Sequence, residues 1–110
     1  MGKMNEIDND GSDLQRLRQE IDDLDNQILR LLNQRMLLVE EIAELKNKAG
    51  RDAMDLHREQ AIFRRLASQN QGPLAWGAVK KIFGEILAAS RDIQSRLVTG
   101  EGESPSRKKN

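Results

Sequence analysis

The sequence predicts an all-α protein, and three observations support that expectation. Apolar residues recur at spacings of three and four over three separate stretches, no run alternates β-branched or aromatic residues with polar ones, and Gly and Pro mark the breaks. At 110 residues the chain fits one domain, and with 33% of residues charged against 37% hydrophobic its core must be lean. A small helical chain of this kind often completes its core against a second copy, so oligomerisation is expected before any motif is read.

The first helix is expected to start near Ser12 or Asp13, either of which can cap free N–H groups, and to run to about Lys48, where Ala49-Gly50 stops it. Its apolar positions, Leu14, Leu17, Ile21, Leu24, Ile28, Leu31, Leu38, Ile42 and Leu45, trace a coiled-coil seam. One seam position, Arg35, is charged where a hydrophobe is expected. The second helix is expected from Met54 or Asp55 to Ser68 or Asn70, capped by Asp52 or Asp55, with Leu56, Ile62, Phe63 and Leu66 facing inward. Gln71-Gly72-Pro73 breaks the pattern and sets proline in the first turn of a third helix that reaches Leu97. The inner stripe of that helix is Val79, Ile82, Phe83, Ile86, Leu87, Ile93 and Leu97. Residues 1–12 and 99–110, rich in Gly, Asn, Ser and charge, are expected to be disordered. That leaves one domain over 13–98 with helices at about 13–48, 54–69 and 73–97.

Composition narrows the function classes. Eighteen basic residues balance eighteen acidic ones, which argues against nucleic acid or an anionic membrane as a bulk partner. The absence of cysteine and the single His57 remove thiolate chemistry, disulfides and a histidine-rich metal site. The N-terminal stretch is acidic and polar with no apolar run, so it reads as neither secretory signal nor membrane anchor, and a cytoplasmic location is expected.

The informative residues are polar ones on faces that should be apolar, because a buried polar group without a partner costs about 1–3 kcal/mol. Arg35 interrupts the seam, and Lys46 lies on nearly the same side of that helix about 16 Å further along. Asp55, Arg58 and Glu59 share one face of the second helix, which continues into Ile62 and Phe63. Ser90 and Gln94, one turn apart, interrupt the third helix's apolar stripe. Blander readings stand beside these. Arg35 would also serve as a register-setting seam charge, Lys46 as a cation complementing a helix C-terminus, and Arg58 with Glu59 as part of a solvated charged run. His57 reads as an ordinary surface residue, and Trp76 and Phe83 as packing residues. The acidic pairs Asp22-Asp23 and Glu40-Glu41 lie on a long solvated helix and do not resemble an acid/base pair. No serine stands within a nucleophile motif.

Taken in order, the segments LQRLRQEIDDLDNQILRLLNQR, EIAELK, DLHRE and KIFGEILAASRDIQ resemble the all-α class of chorismate mutases, found alone or fused at the N-terminus of prephenate-processing enzymes. The resemblance spans about Leu14 to Leu97. It implies a three-helix protomer with a very long first helix, paired with a second copy as an intertwined antiparallel homodimer. It also implies the rearrangement of chorismate to prephenate, in phenylalanine and tyrosine biosynthesis, without metal or cofactor. Arg18 and Arg35 lie about 25 Å apart along a straight helix and on different sides, beyond the reach of one small ligand within a single chain. An antiparallel partner removes that difficulty, so each pocket is expected to take Arg18 from the neighbouring chain.

By the same resemblance Arg18, Arg35 and Arg58 would hold the two substrate carboxylates, with Ser90 assisting at one of them. Lys46, as a cation, and Gln94 would donate to the ether oxygen, and Glu59 with the backbone at Asp55 would address the ring hydroxyl. Lys46, Gln94, Arg35 and Glu59 form the expected catalytic set. Arg91, next to Ser90, is expected to point away from the pocket. Two other readings remain at this point: elimination of pyruvate from isochorismate on the same fold, and a non-catalytic helical dimer that regulates a pathway enzyme.

Overall fold

The computed structural model of the chain describes residues 2–49 and 55–98, which form three helices in the order α1 (Gly2–Lys48), α2 (Leu56–Gln69) and α3 (Trp76–Val98). No strand occurs among the described residues. The chain divides into two compact units, one ending at Gln34 and the other beginning at Arg35. The expected C-terminal tail, Asp52 as a cap and Met54 as a helix start lie outside the described residues.

In the first unit, the helix runs from Gly2 through Ser12 and Asp13, where its start was expected. No proline interrupts residues 2–12, and Gly11, the one glycine past the helix's first residue there, costs a helix only about 1 kcal/mol, so continuation outweighs a new cap. Asp13 pairs instead with Arg16 at 3.8 Å, and Arg16 reaches Glu20 at 2.8 Å, ordinary exposed helix-surface pairs. The seam residues of this unit, Leu14, Leu17, Ile21, Leu24, Ile28 and Leu31, are all exposed, from 46% at Leu14 to 62% at Leu31.

The second unit holds the core. Val39 and Ala43 of α1, Ile62 of α2, and Val79 and Leu87 of α3 are buried. Each large member of that set contributes about 1.5–3 kcal/mol by leaving water. Asp55 caps α2, its carboxylate accepting from the Arg58 N–H at 2.9 Å. Leu56 and Ile82, expected inside, are exposed. Leu56 sits six positions before Ile62 and is turned about 120° from it, and Ile82 falls at the edge of the stripe centred on Phe83 and Leu87.

The link between α2 and α3 departs from expectation at Pro73, which follows a cis peptide bond in a bend instead of opening α3. Asn70 organises that bend: its N–H donates to the Leu66 carbonyl, its Oδ1 accepts from the Gly72 N–H at 3.1 Å, and its Nδ2 donates to the Leu74 carbonyl at 2.9 Å. The bend needs a residue at φ +76°, and Gly72 supplies it without a Cβ penalty. Helix α3 therefore starts only where the Ala75 carbonyl can accept from Ala78 and Val79. Phe63 and Trp76 meet edge to face at 6.3 Å, fastening α2 to the start of α3.

Candidate active site

A cleft of about 400 Å³ opens in the second unit between the last turns of α1, the first turns of α2 and the last half of α3. Leu38, Val39, Ile42, Ile62 and Leu87 form its apolar lining. Seven of the eight residues singled out from the sequence, Arg35, Lys46, Asp55, Arg58, Glu59, Ser90 and Gln94, line the same cleft. The eighth, Arg18, belongs to the other unit and does not line it.

Helical spacing explains why these side chains converge. On α3, Ser90 and Gln94 follow Leu87 at three and seven positions, so the buried face that anchors Leu87 aims both polar groups into the cleft. On α2, the cap at Asp55 sets the first turn, and Arg58, Glu59 and Ile62 repeat at that turn's spacing.

Ser90 is buried at 6% exposure, and its hydroxyl both accepts and donates. It accepts from Arg35 Nη1 at 2.6 Å and donates to the Ile86 carbonyl at 3.0 Å, with the Met36 sulfur alongside at 3.7 Å. Arg35 is thereby held by one guanidinium nitrogen, and its other N–H groups stay available to a ligand. Burial first, then repulsion from Arg58 and Arg65, pushes the Arg35 guanidinium below its usual value. It remains a cation at neutral pH. The folded protein without ligand thus carries a positive charge at some cost, and a bound anion reverses that sign.

Glu59 has a partner that the sequence reading did not foresee. Arg91 Nη1 donates to both Glu59 oxygens, at 2.7 and 2.8 Å, and the Glu59 side chain is only 18% exposed. Arg91 does not line the cleft, as expected, but it is bonded to a residue that does. The available signal was its position: one residue past Ser90 is a turn of about 100° around α3, which faces Arg91 toward α2.

With three cations, two carboxylates, a serine, a glutamine and an apolar lining, the cleft suits a small ligand with more than one negative group. It contains no thiol and no histidine. Among the described residues, no group of three or more His, Asp or Glu side chains is placed to hold a metal ion.

The sequence model of the family chorismate mutase type II matches residues 17–95. The chain belongs to the chorismate mutase type II family. That match takes in all eight of the singled-out residues, from Arg18 to Gln94. The bifunctional chorismate mutase/prephenate dehydratase of Aquifex aeolicus is 35% identical over 89 residues, covering 77% of this chain and 25% of that protein. The protein of the same name from Neisseria gonorrhoeae is 38% identical over 80 residues, covering 73% of this chain and 22% of the relative. This chain therefore spans about a quarter of the length of these two curated relatives. Among solved structures, form II of the chorismate mutase from Thermus thermophilus superposes with a TM-score of 0.74 at 38% identity, covering 76% of this chain and 94% of that one. The all-α architecture expected from periodicity is thus also that of a solved mutase-family structure. Among the described residues, no helix is long and apolar enough to cross a membrane.

Proposed function

We propose that the chain is a chorismate mutase that rearranges chorismate to prephenate in the cytoplasm, on the route to phenylalanine and tyrosine, as a homodimer with two composite active sites. The observation that carries this reading is the convergence of Arg35, Lys46, Arg58 and Gln94 on one small cleft with an apolar lining, in a chain of this family. The reaction is a unimolecular Claisen rearrangement: the ether C–O bond breaks while a C–C bond forms, and the electrons shift within a cyclic transition state. It needs no nucleophile. The protein has to hold a compact, chair-like conformer and stabilise charge growing on the ether oxygen.

In this reading Arg35 and Arg58 hold the substrate carboxylates with Arg18 from the partner subunit, and Ser90 sets the orientation of Arg35. Lys46 and Gln94 donate to the ether oxygen, and Glu59, with the backbone at Asp55, addresses the ring hydroxyl. The exposed seam from Leu14 to Leu31 supports the dimer, since a continuous apolar stripe of this length is ordinarily covered by another helix.

Incubating the protein separately with chorismate and isochorismate tests the chemistry. Prephenate from the first is the expected product, and pyruvate from the second alone would overturn the reading. Mixing tests the composite site. Lys46→Ala is expected to lower turnover at least about a hundredfold, as loss of an oxyanion donor does, and Arg18→Ala to be similarly impaired. Mixed together, the two variants should form heterodimers with one intact site each, restoring up to about a quarter of the sites. No recovery on mixing would refute the cross-subunit arrangement.

A further inference from the structure

We infer that Arg91 is a positioning residue: it pins the Glu59 carboxylate to the wall of the cleft, so that Glu59 receives the substrate hydroxyl instead of neutralising the cations meant for the substrate carboxylates. The inference rests on reading the cleft as the chorismate site.

Glu59 shares the cleft with Arg35, Lys46 and Arg58. A flexible carboxylate among three cations is an internal competitor for an anionic ligand, because it can occupy the donors that the ligand requires. Arg91 supplies a cation outside the cleft lining and takes both Glu59 oxygens on one nitrogen, at 2.7 and 2.8 Å. With Glu59 only 18% exposed, the pair is better shielded from water than the surface pair of Arg16 and Glu20, at 59% and 57%. Each carboxylate oxygen accepts more than one hydrogen bond, so Glu59 held in this way can still accept from a hydroxyl in the cleft.

The arrangement on α3 is economical. Ser90 and Arg91 are consecutive and diverge by about 100°. The first bonds Arg35 on α1 and the second bonds Glu59 on α2. One short segment of α3 therefore orients a cation for the substrate carboxylates and the acceptor for the hydroxyl, and it keeps the two apart. It follows that Arg91 contributes to selecting a substrate with a hydroxyl donor at that point of the ring.

A mutant cycle tests this, using Arg91→Met, Glu59→Gln and the double variant, with kcat and KM for chorismate and the thermal midpoint measured for each. Arg91→Met is expected to lower kcat/KM about tenfold, the size of one charged hydrogen-bonding arrangement lost. The double variant should be no worse than Glu59→Gln alone, because Arg91 acts only through that carboxylate. Arg91→Lys should recover part of the loss, since it keeps the charge without the planar fork. Three results would overturn the inference: a wild-type kcat/KM in Arg91→Met, losses that multiply in the double variant, or a loss that follows a lowered thermal midpoint regardless of residue 59. Wild-type protein inactive on chorismate would bring down the functional reading as well, whereas an active wild type with an indifferent Arg91 would remove only this proposal.

Discussion

Residues 14–31 and residues 35–46 belong to one helix and follow one heptad pattern, yet they behave differently. The first stretch has a single apolar stripe, and every member of it from Leu14 to Leu31 is exposed. In the second the stripe continues through Leu38, Ile42 and Leu45, also exposed, but a second apolar face is added by Val39 and Ala43, at 6% and 0% exposure. That second face belongs to the core, and Val39 lines the cleft together with Ile62 of α2 and Leu87 of α3. Stripes count partners: one stripe leaves a face for another chain, and two allow a helix to serve a core and an interface together. The cleft arises where both faces meet the polar substitutions, with Leu38 and Ile42 on one side and Val39 on the other.

The comparison is most severely tested by a charge on the stripe of the first stretch. Leu24→Lys is expected to yield monomers in sedimentation analysis and activity at background, because a cation facing the seam opposes helix pairing. Gln19→Lys, on the opposite face, should leave association intact, and equal effects from both would remove the distinction between the two stretches. Next in size is the intrachain core. Leu87→Ala should destabilise the protein by about 2–5 kcal/mol in denaturant unfolding, and a loss below about 1 kcal/mol would mean that the core lies elsewhere.

A subtler effect is expected at the one seam position that is charged. The Arg35 proton is held less firmly in the folded chain than in the unfolded one, so folding makes the charged form less favourable than it is in the unfolded chain. At neutral pH, below both values, the charged side chain therefore detracts from stability, and that cost is relieved only as alkaline pH approaches the lowered folded-state value. Arg35→Leu should accordingly raise the thermal midpoint of the ligand-free protein by a few degrees while abolishing stabilisation by a dicarboxylate transition-state mimic. A lowered midpoint would contradict that sign. The smallest change is at the α2 cap, where Asp55→Ala should cost about 1 kcal/mol and Asp55→Ser should recover most of it.

Much of this was legible from residues alone, for physical reasons that differ from site to site. The seam and the ends of α2 follow from periodicity and from Asp55, whose cap is a local interaction between residues three apart. Ser90 and Gln94 stood out because a polar group on an apolar stripe requires a partner. The start of α1 was misplaced because Ser12 and Asp13 are cap formers anywhere, and only the absence of a break before them carries the helix on to Gly2. Pro73 was misread because a proline suits a first helical turn and a bend equally well, and it is the side chain of Asn70 that selects the bend.

Residue chemistry and spacing were therefore sufficient to define an all-α chain and its seam and to mark Ser90 and Gln94 as unusual, since each depends on helical geometry known in advance, whereas Lys46, Arg58 and Glu59 were set apart from an ordinary charged surface only by the family resemblance. The partners of those groups were decided by packing. Ser90 on Arg35 and Arg91 on Glu59 are contacts between residues more than thirty positions apart on different helices. No local rule specifies them, because they depend on how α2 and α3 are docked against α1, and that docking is set by the summed burial of Val39, Ala43, Ile62, Val79 and Leu87.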